Sequence, residues 1–325
     1  MEGLLHALSL NGQGGAVPVT DLAQAQAQAQ ALQDEQPMWL HFDYTCEAVQ
    51  HFLSQLDCLQ EWEWQALLAE ETRPRVTRAS QGLLLFLRGV NLNPRQNPED
   101  MVSVRCFVSK NLLITCRKRV LISIEDLRDA LLDGAGAHTI SDLTCALIDR
   151  LTHRMQDTLW QVEEQLDEFK EQLDKEESQP DYHQITLLRR QVISLKRYIK
   201  PQRQAIYDLI DTKVNWLSLE QRRLLGEANN TLSRYIEELE ASIERAQVLQ
   251  QSIANQLNEQ LNQRMYIMSV VAALFLPLGF LTGLLGVNIG GIPGTENPWS
   301  FTVFVISLVV LTVAVAILFK RRKWI

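Results

Sequence analysis

The chain has 325 residues, 31 basic and 39 acidic, for a formal net charge of −8, and its five cysteines are odd in number with no close CxxC pair. An acidic body repels nucleic acid and attracts cations, and that cysteine usage argues against a disulfide framework or a zinc ribbon. No nucleophile elbow, phosphate loop or metalloenzyme motif is present, so nothing in the sequence points to an enzyme.

The opening residues, MEGLLHALSL, lack a basic n-region and a long apolar core, and no cleaved signal is expected. Leu22–Gln33, LAQAQAQAQALQ, alternates Ala and Gln without an apolar face at period 3.6, which predicts a connector or a surface helix. From Pro37 the pattern is mixed α/β. PMWLHFDY and QGLLLFLRGV alternate like strands, whereas EAVQHFLSQL and EWEWQALLAEE have helical spacing. VSVRCFVSKNLLITCRK predicts a hairpin with a three-residue turn at Ser109, Lys110 and Asn111. That register pairs Val108 with Leu112, Cys106 with Ile114 and Val104 with Cys116, puts the apolar side chains on one face, and uses Asn111 for the left-handed position. The cysteines read as small core hydrophobes.

Past Leu121 the strand signals vanish. Asp149–Glu177 predicts a long, acidic, amphipathic helix that stops at a Ser-Gln-Pro-Asp break and is answered by the basic segment His183–Ile210, so that antiparallel pairing sets acid against base. No proline then occurs between Leu219 and Pro277. Within that window Leu232, Ile236, Leu239, Ile243, Ala246, Gln250, Ile253 and Leu257 follow the 4-3 spacing of a coiled-coil seam, with Gln250 as its polar interruption. Unbroken to Val287, this helix is on the order of 100 Å long, and its stripe demands neighbours. Glu237, Glu238, Glu240 and Glu244 suit a solvated face as well as a role in gathering cations.

Met265–Val287 and Trp299–Phe319 carry no charged side chain, and these runs of 23 and 21 residues are long enough to cross a bilayer as helices. Lys320, Arg321, Arg322 and Lys323 abut the second run and Arg264 the first, whereas the intervening loop carries only Glu296. Positive-inside bias places both termini in the cytosol, with Trp299 and Trp324 at interfaces. The expected layout is a cytosolic α/β domain over residues 1–130, a helical stalk over 131–264 and a two-span membrane domain over 265–325. Two helices cannot enclose a water-filled path, so the spans either anchor the chain or line a pore made by several copies. The first span is rich in small residues, Ser269, Ala272, Ala273, Gly279, Gly283 and Gly286, and holds Pro277, whereas the second is nearly all Leu, Val and Ile. This asymmetry predicts an inner pore helix and an outer lipid-facing one.

Gly286-Val287-Asn288 at the close of the first span resembles the Gly-x-Asn signature of the CorA metal-ion transporter superfamily. LPLGFLTGLLGVN (Leu276–Asn288), ETRPRVTR (Glu71–Arg78) and KRYIKPQR (Lys196–Arg203) resemble further family segments, and the loop NIGGIPG is similar to the zinc-transporter (ZntB) branch. The resemblance covers nearly the whole chain. It implies an α+β cytosolic domain, a long helical stalk and two C-terminal transmembrane helices, assembled as a CorA-like homopentameric funnel in a bacterial inner membrane. It also implies divalent-cation transport, with Zn²⁺ as cargo and Mg²⁺, Co²⁺, Ni²⁺ or Cd²⁺ as alternatives, and no resident cofactor. Many relatives carry Thr or Ser two residues after the pore-helix proline where this chain has Gly279, so the inner hydroxyl ring does not carry over at that position, and whether Thr282 faces the axis instead is left open by the sequence.

The expected filter is Gly286, Val287 and Asn288, with Leu276, Gly279, Thr282, Gly283 and Ser269 as pore-lining candidates and Glu296 at the outer mouth. Amide oxygens suit a cation that crosses with its hydration shell, since small dications dehydrate reluctantly. The spans and loop hold no His or Cys, so zinc has no nitrogen or sulfur ligand there, and no proton relay lies within the spans. Outside the membrane, Asp149, His153 and Asp157 sit one helical turn apart and are candidate metal ligands, as more weakly are His41, Asp43, Cys46 and His51. The expected partners are further copies of the chain, divalent ions and lipid. A magnesium or cobalt channel of the same fold is the alternative, and a membrane-anchored coiled-coil adaptor is a third reading.

Overall fold

The computed structural model describes residues 2–20, 36–70, 72–175, 180–286, 294 and 297–321. The chain divides into two compact units, Met1–Gln250 and Gln251–Ile325. The alternating Ala/Gln segment lies outside the described residues.

The first unit is built on a seven-stranded sheet. Its strands are β1 (Leu4–Leu10), β2 (Ala16–Pro18), β3 (Met38–Asp43), β4 (Arg75–Arg78), β5 (Leu83–Gly89), β6 (Val102–Val108) and β7 (Leu112–Arg117). They run in the order β2-β1-β3-β7-β6-β5-β4, with β3 and β7 parallel and the other neighbours antiparallel. The helices α1 (Glu47–Ser54) and α2 (Glu61–Leu68) bury Val49, Phe52, Leu53 and Leu67 against Leu40, Phe42, Phe107 and Ile114 of the sheet. The alternate residues Leu85, Leu87, Val104 and Leu113 are equally buried, and with a side-chain period of two they lie on the opposite face. Two faces covered in this way are why the central strands read as continuous apolar runs.

The hairpin between β6 and β7 differs from the expected register by one residue: Val108 pairs with Leu113, Phe107 with Ile114, Cys106 with Thr115 and Arg105 with Cys116. Ser109 and Leu112 close the loop, with the Ser109 amide donating to the Leu112 carbonyl at 2.9 Å and the Leu112 amide to Ser109 Oγ at 3.1 Å. Placing every apolar residue on one face selects a register only when the other face is wet, and here neither is. Arg95, at φ 62°, is the one described non-glycine residue in the left-handed region, so Asn111 does not use it. Four cysteines, Cys58, Cys106, Cys116 and Cys145, are free and buried. Burial pushes the thiols of Cys58, Cys116 and Cys145 up to about 12 and that of Cys106 higher, which makes them inert packing groups.

The rest is helical: α3 (Ile122–Leu132), α4 (Ile140–His153), α5 (Met155–Asp174), α6 (Tyr182–Asp211), α7 (Leu219–Leu285) and α8 (Ser300–Arg321). α4 starts in a capping box, Thr139 Oγ1 accepting from the Asp142 amide at 3.1 Å and the Asp142 carboxylate accepting from the Thr139 amide at 3.1 Å. The acidic helix is interrupted only at Arg154, whose backbone stays helical at φ −67° and ψ −11°. The expected pairing of acids on α5 with bases on α6 is replaced, among the described residues, by ion pairs from each helix to α7: Asp167 with Arg245, and Lys196 with Glu240 at 2.8 Å. On α7, Leu232, Ile236, Leu239, Ala246, Gln250 and Ile253 of the seam are buried, while Leu257 is exposed. The polar interruption is satisfied by α6: Gln250 Nε2 donates to Thr186 Oγ1 at 2.8 Å, and Gln250 Oε1 accepts from Arg189 Nη1 at 3.2 Å. A buried amide with paired partners specifies one register of the seam.

Candidate functional site

The two charge-free runs fall on the C-terminal part of α7 and on α8, both long and apolar enough to cross a membrane. α7 continues through Pro277 to Leu285 as one helix, although the proline has no amide for the Ala273 carbonyl. At 100° per residue, Ser269, Ala272, Leu276, Gly279, Gly283 and Gly286 fall within an arc of about 100° on one face of α7. Thr282 sits roughly 40° beyond that arc on the same wheel. Its hydroxyl donates to the Leu278 carbonyl at 2.8 Å, with the Gly279 carbonyl 3.1 Å away, and Ser269 Oγ donates to the Met265 carbonyl at 2.8 Å. Both hydroxyls thus use their protons on the helix backbone and leave lone pairs outward.

A Cβ added at Gly279 or Gly283 meets nothing within 4 Å, so the stripe is open, and Leu276 beside it is 74% exposed. At Gly286 an added Cβ falls 2.9 Å from the Thr282 carbonyl, which accepts from the Gly286 amide at 2.9 Å. The glycine therefore permits the tight turn that ends the helix. Val287, Asn288 and Glu296 lie outside the described residues, as do Arg322 and Lys323. The entry to α8 is held by Asn297, whose Oδ1 accepts from the Trp299 amide at 3.0 Å. Lys320 and Arg321 occupy its last turn, where cations suit the helix dipole.

Outside the spans, His153 Nδ1 lies 3.1 Å from Asp149 Oδ1 on an exposed helix face, and Asp157 follows on the far side of Arg154. Asp43 Oδ1 accepts from the amide of Thr45 at 2.9 Å and from its hydroxyl at 2.6 Å, His51 Nε2 contacts Gln55 Nε2 at 3.0 Å, and Cys46 precedes α1. His41 is fully buried, with Nδ1 2.7 Å from Thr115 Oγ1 and Nε2 accepting from Arg117 Nε at 2.9 Å. Its ring packs 4.8 Å from that of His6. Burial first, then the neighbouring cationic groups, holds His41 well below the usual histidine range and His6 at about 4. Among the described residues, no three His, Cys, Asp or Glu side chains converge to hold a metal ion.

Sequence reasoning passed over the contacts that fasten α6 to the sheet. Gln202, buried near the end of KRYIKPQR, accepts from the backbone amide of Arg88 at 2.7 Å through Oε1. The Arg88 guanidinium lies 4.1 Å over the Tyr198 ring and donates to the carbonyls of Met101 and Thr72, each at 2.9 Å. Pro201 beside them lies inside α6. The available signal was a proline next to a glutamine on the apolar stripe of a helix.

Residues 34–321 match the family described as CorA-like Mg²⁺ transporter protein. The chain is 35% identical over 324 residues to the zinc transport protein ZntB of Pectobacterium carotovorum, covering 100% of this chain and 97% of that one. It is 37% identical over 326 residues to the divalent cation transporter CmaX of Pseudomonas aeruginosa, again covering 100% and 97%. The solved structure of full-length CmaX superposes with a TM-score of 0.85 at 36% identity, over 99% of this chain and 98% of that one. The match over residues 34–321 and the full-length likeness to these transporters establish that the chain belongs to the CorA-like transporter family.

Proposed function

We infer that the chain carries divalent cations, zinc foremost, across the bacterial inner membrane as a homopentamer whose axis is lined by the first span. The observation that carries this reading is the end-to-end likeness to zinc transport proteins and to a divalent cation transporter. The open small-residue stripe of α7 supports it, because close approach of several copies needs a face without bulky side chains. Five Asn288 amides then ring the entrance and hydrogen-bond the hydration shell, with Gly286 permitting the turn before them. A carboxylate ring would hold the ion more tightly and slow its release. Glu296 concentrates cations outside, and the basic residues Lys320, Arg321, Arg322 and Lys323 fix both termini in the cytosol. The spans have no Asp, Glu or His, so any proton coupling runs through pore water or through groups outside the membrane.

The test is flux into proteoliposomes under set zinc, magnesium and pH gradients. Zinc entry that survives a large excess of magnesium and is abolished in Asn288→Ala is expected. Flux that magnesium or cobalt outcompetes reassigns the cargo within the family. No flux at all from intact oligomers overturns the reading, as does full flux and unchanged selectivity in Asn288→Ala.

A further inference from the structure

A cavity of about 350 Å³ in the first unit has walls from β6, from the segments after β3 and β7, and from α6. That size is in the range of small-molecule sites. Arg105, in the middle of β6, lines it and is fully buried. Its Nη2 donates to the Tyr44 hydroxyl at 3.1 Å and to the Glu70 carbonyl at 3.0 Å, and its guanidinium lies 3.9 Å over the Tyr44 ring. Among the described residues, Nε and Nη1 have no acceptor. Among the described residues, no carboxylate forms an ion pair with it. Cys116, its partner across the strands, supplies no charge either: burial pushes that thiol up to about 12, with Arg105 pulling the other way.

A buried cation with unmet donors and no counter-charge is costly, and a bound anion is what lowers that cost. Lys118 and Arg119, exposed at the edge of the same cavity, add positive charge. Glu70, Glu99 and Asp100 share the wall; they disfavour a bare polyanion but accept hydrogen bonds from hydroxyl groups. The Arg88 and Tyr198 pair closes the side formed by α6.

We propose that this cavity binds a small hydroxylated organic oxyanion, its phosphate or carboxylate on the Arg105 side and its hydroxyls toward the three acids. Such a ligand spans the sheet and α6, the two bodies that Gln202 already ties together. Binding here is independent of the transport reading.

Calorimetric titration of the full-length protein in detergent tests it, with ribose 5-phosphate, gluconate and neutral ribose as probes. One saturable site per chain for either anion and none for ribose is expected, and the anion preferred distinguishes phosphate from carboxylate recognition. Hydrogen exchange should slow within residues 101–105 and 194–198 on binding. Arg105→Gln should weaken binding at least about tenfold, the loss of a charge-assisted contact. Because that variant removes a core group, the surface double variant Lys118→Glu/Arg119→Glu serves as the second arm, with a loss of about tenfold expected at low salt. No saturable binding of either anion at millimolar concentration overturns the proposal, as does undiminished affinity in the double variant.

Discussion

Acid should weaken the first unit through two histidines that its fold keeps neutral. In an unfolded chain histidine titrates near 6.5, whereas His6 titrates at about 4 in the fold and His41 well below its usual range. Above pH 6.5 neither state holds the proton, and stability is flat. As pH falls from 6.5 the unfolded chain takes up protons that the folded chain refuses, so stability drops, down to about 4 for His6 and in the same direction for His41. Each unit costs up to about 1.4 kcal/mol, so by pH 5 His6 removes roughly 2 kcal/mol, and His41 adds a loss of the same sign. Burial is the main reason that His41 resists, with His6 and Arg117 next, and its Nε2 offers an added proton no acceptor. Its Nε2 accepts from Arg117, so a proton placed there faces another donor. Its Nδ1–H is then committed to Thr115 Oγ1, which also accepts from Trp39 Nε1 at 2.8 Å. Urea unfolding of the detergent-solubilised protein, followed by tryptophan fluorescence between pH 7.5 and pH 5, measures the slope. His6→Phe keeps a ring against Trp39 and His41 and should remove about one histidine's share, roughly 2 kcal/mol of the difference between those pH values. Equal slopes in wild type and His6→Phe, or no loss of stability down to pH 5, would refute the argument.

Gln202→Leu removes the acceptor of the Arg88 amide at little change in volume. It should cost about 1–3 kcal/mol and speed hydrogen exchange of the peptide containing Arg88, and unchanged exchange would show that the contact does not hold α6 to the sheet. Glu63 is fully buried and accepts from the Gln60 amide at 2.9 Å and the Ser80 amide at 2.5 Å. Glu63→Gln turns one of its acceptors into a donor facing donors, and a fall of about 1–3 kcal/mol in the urea-derived stability is expected. At Gly89 an added Cβ falls 2.7 Å from Leu121 Cδ1 and from Leu151 Cδ2. Gly89→Ala should therefore destabilise by about 1–3 kcal/mol through overpacking, seen as a lower melting temperature, while Gly226→Ala, where nothing lies within 4 Å, should be neutral or better.

The spans and the seam were legible because each depends on a one-dimensional pattern: charge-free length in one case, 4-3 spacing in the other. β3, β5 and the first two helices were legible for the same reason. β1, β2 and β4 were not, since two of them are short edge-side strands and LLHALSL alternates weakly. The parallel pairing of β3 with β7 and the hairpin register depend on which faces are covered, which no local window contains. Gly286 and the small-residue stripe could be read directly, but a pore is a property of several copies. Arg105 and Gln202 were invisible for another reason. A charged or amide residue inside an apolar run reads as a blemish until its neighbours are known, and only then as a cation with no ion-pair partner among the described residues or as the cap of a strand amide.

Met38 of β3 pairs with Leu112 of β7, a partner 74 positions later in the chain. At a synthesis rate of about 5–20 residues per second, β3 waits roughly 4–15 s for that strand to leave the ribosome. β1, made earlier, can pair one edge of β3 in that interval, but the other edge and the apolar side chains of Trp39, Leu40 and Phe42 stay uncovered. A nascent chain of this kind is a natural client for holding chaperones, and truncation anywhere before β7 should yield aggregates, not a smaller folded piece.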